Sequence, residues 1–126
     1  MNILGLGMDI VETKRIAESL DRFGDRFLQR VFVDGEVAYA KSMKFPHLHL
    51  AARFAAKEAI SKAFGTGIGR EIGWRDLEIV RAPGGAPGVL LHGRAAEYAK
   101  SRGVAQVMVS LSHTADYGAA SAVIIG

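Results

Sequence analysis

Leu48, Ala52, Ala55, Ala56, Ala59 and Ala63 fall on one arc of a helix that turns about 100° per residue. Most of that arc is alanine, so a sheet or a second helix laid against it comes very close. Pro46 marks the break before the helix, which the pattern predicts from about His47 to Phe64. Arg53, Lys57, Glu58, Ser61 and Lys62 occupy the other half, mixed with Leu50 and Phe54. This predicts a central helix with apolar packing on one side and a site on the other.

The N-terminal stretch alternates. Leu4, Leu6, Met8 and Ile10 share one face of a predicted strand, while Ile3, Gly5, Gly7, Asp9 and Val11 share the opposite face. The first set is expected in the core. The glycines of the second set leave room for a close approach, with Asp9 at the mouth of a cavity. Thr13 is the predicted cap of a helix to about Phe23, Gly24 breaks it, and Asp25 starts a short helix to Phe32. Asp34 is the predicted cap of a third helix.

After the long helix, Asp76 to Arg81 and Gly88 to Leu91 read as strands joined by the turn Pro83-Gly84-Gly85-Ala86-Pro87. Arg94 to Ser101 reads as a helix stopped by Gly103. Gln106 to Leu111 and Gly118 to Ile125 read as an antiparallel pair. The order gives an α+β fold, one antiparallel sheet packed on the long helix, in a single domain over residues 1–126. A composition of 49% hydrophobic and 23% charged residues suits such a core, and zero cysteines exclude disulfides and thiolate zinc sites. No apolar run approaches the ~20 residues that span a bilayer, and no signal-peptide pattern is seen. A cytoplasmic location is expected, with no membrane partner.

Chemistry concentrates in a few places. Asp9 and Glu58 together would suit a hard divalent cation, which needs only one or two carboxylates when phosphate oxygens and water complete its shell. The simpler alternative makes Asp9 a helix cap and pairs Glu58 with Lys62. Arg53, Lys57 and Lys62 would offset phosphate charge, or else form a solvated face. Gly65-Thr66-Gly67-Ile68-Gly69 would offer N–H groups to a phosphate, or simply end the helix. Ser110-Leu111-Ser112-His113-Thr114 ends a strand with hydroxyls around an imidazole. His47 and His49 share no helix face and read as surface or packing residues. Arg15, Arg22, Arg26 and Arg30 form either a solvated face or a docking patch for an acidic protein. The net charge of +3 permits an acidic partner, while the missing aromatic platform argues against nucleic acid.

In order along the chain, these segments resemble the small 4'-phosphopantetheinyl transferases, the holo-(acyl-carrier-protein) synthase family. Gly5-Leu6-Gly7-Met8-Asp9-Ile10-Val11-Glu12 with Arg15 is similar to the family's first motif. Arg53-Phe54-Ala55-Ala56-Lys57-Glu58-Ala59, followed by Lys62-Ala63-Phe64-Gly65-Thr66-Gly67, resembles its second and most specific one. Trp74 to Ile79, the Gly85-Ala86-Pro87 turn and Ser110 to Thr114 complete the match.

The resemblance implies transfer of 4'-phosphopantetheine from coenzyme A to a serine of apo-acyl carrier protein, in fatty acid biosynthesis, releasing adenosine 3',5'-bisphosphate. It implies Mg2+ held by Asp9 and Glu58, with Asp9, Glu58 and Lys62 as the catalytic set. Glu58 would deprotonate the acceptor serine, directly or through a metal-bound water, and Lys62 would stabilise charge on the pyrophosphate. Arg53 and His113 would contact the 3'-phosphate region, Gly85 and Pro87 the nucleotide end, and Ser61, Gly65, Thr66 and Thr114 further parts of the coenzyme. Arg15, Arg22 and Arg26 would dock the acidic carrier protein. A homotrimer with sites between subunits is implied, and Met8 is expected to point into the core. The alternative function is a non-catalytic coenzyme A or nucleotide binding module.

Overall fold

The computed structural model describes residues Met1 to Gly126. Strand β1 (Ile3–Glu12) leads into helices α1 (Thr13–Phe23), α2 (Asp25–Val31), α3 (Asp34–Lys41) and the long α4 (Pro46–Phe64). A 3₁₀ turn at Trp74–Asp76 precedes β2 (Leu77–Arg81) and β3 (Pro87–Leu91), then α5 (Gly93–Ser101), β4 (Gln106–His113) and β5 (Tyr117–Ile125). The fold is α+β, as expected, but the strands form two sheets where one was expected. The larger runs β1-β5-β4 and the smaller is the β2-β3 hairpin, all pairs antiparallel. Hydrogen bonding stops between β3 and β4. No helix is long and apolar enough to cross a membrane.

Helix α4 lies against β1 and β5, and its seat reverses the expected faces of β1. A Cβ on Gly5 would collide with the Ala63 carbonyl oxygen, one on Gly7 with that of Ala59, and one on Gly118 with the backbone of Ala51. Glycine in the sheet and alanine in the helix let two backbones meet, so the narrow face became the packed one. Ala55, Ala56, Ala59, Ala120, Ala122 and Ile124 fill that interface. The bulky face is therefore outside: Leu6 is 69% exposed, Met8 71% and Ile10 64%. Met8 does not point into the core.

The charged half of α4 is largely enclosed. Arg53, Lys57 and Ser61 are all buried, because α3, the 3₁₀ turn and β2 close over that side. The capping expectations change as well. Thr13 is buried inside the start of α1, and its hydroxyl donates to the Ala115 carbonyl at 2.6 Å, tying the helix to the β4–β5 hairpin. Residue Val33 stands at the cap of α3, so Asp34 is the first helical residue, and Glu36 reaches back to accept from the Val33 N–H at 2.9 Å.

Candidate active site

Asp9 shares the α4-facing side of β1 with Gly5 and Gly7, so its carboxylate is delivered to the last turns of α4. There Lys62 donates to Asp9 Oδ1 at 2.9 Å and to the Met8 carbonyl at 3.3 Å. Glu58, one turn earlier, makes no ion pair. Burial pushes its carboxyl above the usual range, the Asp9 charge adds to that, and Lys62 opposes it. The bond to Asp9 holds the Lys62 ammonium firmly protonated. Neither simpler alternative holds, since Asp9 caps no helix and Lys62 pairs with Asp9 instead of Glu58.

Two carboxylates on one face, one of them short of positive charge, are a hard-oxygen donor set with room for more cation. No group of three or more His, Asp or Glu side chains is placed to hold a metal ion, so a cation here would draw on the two carboxylates of Asp9 and Glu58. That donor set fits Mg2+, which keeps waters and phosphate oxygens in its shell.

The remaining candidates separate into three groups. Lys57, read from sequence as a phosphate cation, is fully buried, and its ammonium donates to Glu36 Oε1 and the Val31 carbonyl, each at 2.7 Å, and to the Trp74 carbonyl at 3.0 Å. All three hydrogens are used, so it is an anchor between elements. Ser61 is likewise buried, with its hydroxyl spent on the Glu58 carbonyl at 2.8 Å. The glycine loop is used by its own helix: Gly65 N–H bonds Lys62 O, while Thr66 and Gly67 N–H both bond Ser61 O. Gly65 sits at φ 79° as the left-handed cap. Its loop offers open space beside Gly65 and Gly67 rather than a nest of donors.

Arg53 belongs to a second cluster. Its guanidinium lies 4.2 Å from the Tyr39 ring centroid, and Arg81 approaches the same ring at 5.2 Å. His113 joins it through His49, the ring centroids 4.8 Å apart. Arg81 also donates to the Gly85 carbonyl at 2.9 Å, which draws the exposed Gly85–Pro87 turn toward the cluster. Thr114 closes the β4–β5 turn instead, its hydroxyl accepting from the Tyr117 N–H at 3.0 Å. Sequence reading missed His49 and Arg81, because nothing in spacing links α3, α4, β2 and β4.

Arg15, Arg22 and Arg26 are exposed on α1 and α2, and none takes part in an ion pair despite the acids between them. Arg15 and Arg22 flank a groove of about 300 Å³ floored by Val11, Ile16, Phe27 and Phe54.

A sequence model of the 4'-phosphopantetheinyl transferase superfamily matches residues 5–122. The chain belongs to that superfamily. A holo-(acyl-carrier-protein) synthase of Koribacter versatilis is 48% identical over 122 residues, covering 97% of this chain and 98% of the relative. The crystal structure of that synthase from Neisseria meningitidis superposes with a TM-score of 0.92 at 33% identity, covering 99% of this chain and 100% of the other. The Helicobacter pylori synthase, solved in complex with coenzyme A, gives 0.85 at 32% identity, with 95% and 99% covered. The phosphopantetheinyl transferase fold thus accounts for the whole chain.

Proposed function

We propose that this chain transfers 4'-phosphopantetheine from coenzyme A to a serine of apo-acyl carrier protein, in the cytoplasm, as a step of fatty acid biosynthesis. The observation that carries the chemistry is the convergence of Asp9, Glu58 and Lys62 at one end of α4. Asp9 and Glu58 would hold Mg2+, which when bound neutralises the diphosphate of coenzyme A and makes the phosphorus nearer the pantetheine more electrophilic. Glu58 also takes the proton of the acceptor serine. The serine oxygen forms a bond to the phosphorus nearer the pantetheine, and the phosphorus–oxygen bond to adenosine 3',5'-bisphosphate breaks. Lys62 stabilises the negative charge that collects on the departing phosphate.

Two features support a homotrimer with shared sites. At about 100° per residue, Arg53 and Glu58 point roughly 140° apart around α4. One extended coenzyme reaching both kinds of cluster therefore draws them from two copies. The outward sheet face of Leu4, Leu6, Met8, Ile10 and Met108 is the apolar surface that the copies would cover. The unpaired Arg15, Arg22 and Arg26 beside the α1 groove give an acidic carrier protein both charge and apolar contact.

The test is incubation of the purified chain with coenzyme A, Mg2+ and an apo carrier protein, followed by intact mass measurement. The carrier should gain one phosphopantetheine, and a carrier whose acceptor serine is changed to alanine should gain none. A carrier mass that never changes, with or without Mg2+, overturns the reading.

A further inference from the structure

The cluster around Tyr39 is built at a cost that the free chain does not recover. Arg53 is only 3% exposed, and its Nε finds no hydrogen-bond partner. Such a group loses its hydration and gains no bond in return. Arg81 and two imidazoles stand close by, and no carboxylate pairs with Arg53, Arg81, His49 or His113. Glu36, the acid that acts on Arg53 from a distance, has its oxygens committed to Lys57, Val33 and Ile79. An anion placed here would offset the unpaired charge of Arg53 and relieve the crowding of positive groups.

His49 is the member of this cluster with no assigned task. It meets Tyr39 edge-on with centroids 5.7 Å apart and His113 at 4.8 Å, which leaves its ring part of the wall that Arg53 and His113 form. We propose that His49 is a further anion-binding group, gripping as imidazolium the phosphate monoester that separates coenzyme A from its 3'-dephospho form. This rests on the coenzyme A reading given above.

The linkage has a definite sign. Groups facing His49 are Tyr39 from α3, Arg53 from its own helix, Arg81 from β2 and His113 from β4. Burial, then His113, Arg53 and Arg81, hold the free imidazole below its ordinary value of 6.5, so it is neutral in the empty site at neutral pH. A dianion beside it raises that value and binding takes up a proton. The added affinity is complete below the free-state value and fades as pH rises through the bound-state value.

The experiment compares adenosine 3',5'-bisphosphate with adenosine 5'-monophosphate, each titrated calorimetrically into the full chain from about pH 5.5 to pH 8. Buffers of different ionisation enthalpy report the protons exchanged. In the wild type, preference for the bisphosphate should widen as pH falls, with proton uptake beyond that seen for the monophosphate. His49→Gln should narrow the preference at the acidic end roughly tenfold, equivalent to about 1.4 kcal/mol, and remove the extra proton. His49→Phe keeps an aromatic ring against Tyr39 and His113 and should behave like the glutamine variant. The phosphate's own second ionisation near pH 6 acts on every protein alike and cancels in the comparison. If both variants keep the wild-type preference and proton uptake, the role of His49 is overturned while transfer to the carrier stands. If the wild type itself does not favour the bisphosphate, the cluster is no monoester site and the proposal falls. A normal, His49-dependent preference in a protein that never modifies a carrier would sink the transfer reading alone.

Discussion

Lys57 and Glu58 are consecutive residues of α4, yet they live under opposite electrostatic conditions. Lys57 is wholly enclosed, and every hydrogen of its ammonium is accepted by an oxygen, one of them from an equally enclosed Glu36. Burial pulls its proton affinity down and the Glu36 carboxylate pulls it back up. Glu58, one residue on, faces the Asp9 side with no ion pair of its own. Charge that is fully partnered within the chain holds helices together. Charge that is left short of partners is where a cation and a phosphate would find energy to gain.

The contrast is broken most severely by Lys57→Met. Removing the ammonium strands the Glu36 carboxylate in the core, an uncompensated charge that typically costs about 3–5 kcal/mol. Denaturant titration should register a loss of that size. Adding Glu36→Gln should restore part of it, because the orphan charge is gone and the single amide oxygen still accepts from one of the Val33 and Ile79 N–H groups, which bond opposite oxygens of the carboxylate. Wild-type stability in the single variant would show that Lys57 is no anchor.

The next effect falls on rate and spares the fold. Glu58→Gln keeps the side chain's shape and deletes its charge and basicity, so transfer to the carrier should drop by a hundredfold or more, roughly the scale of a lost general base. Its far-ultraviolet spectrum should stay native and its unfolding cooperative. A variant with undiminished turnover would remove Glu58 from the chemistry and leave the α4 contrast without functional meaning.

How much of this was legible beforehand differs between the helix and its surroundings. The boundaries of α4 were close, since Pro46 and the αL Gly65 punctuate it chemically. Asp9 meeting Lys62 and influencing Glu58 was within reach of motif reasoning, because the β1 alternation puts Asp9 beside the glycines. The sidedness of β1 was not. Hydrophobic alternation identifies two faces but does not say which is covered, and here glycine opposite alanine outweighed the bulk of Leu6, Met8 and Ile10. Lys57 was misread for a related reason: helix angle places a charge on a face, while Glu36 arrives from a separate helix that spacing does not relate to it. The same blindness hid His49 beside His113.

The smallest expected effect sharpens the comparison by titration. Because Glu58 has its proton affinity raised on folding, the native state holds that proton to higher pH than the unfolded chain does. Its contribution to stability therefore falls as pH climbs from the ordinary carboxyl value of 4.5 through the folded value, and stays low above it. Glu58→Gln should match the wild type at acidic pH and melt higher at neutral pH, by about 1–4 °C for a domain of this size. Mg2+ should raise the melting temperature of the wild type and do so much less for the glutamine variant, since a cation between Asp9 and Glu58 relieves the repulsion that the variant no longer has. An identical melting profile for the two proteins across pH, with equal response to Mg2+, would mean that Glu58 bears no uncompensated charge.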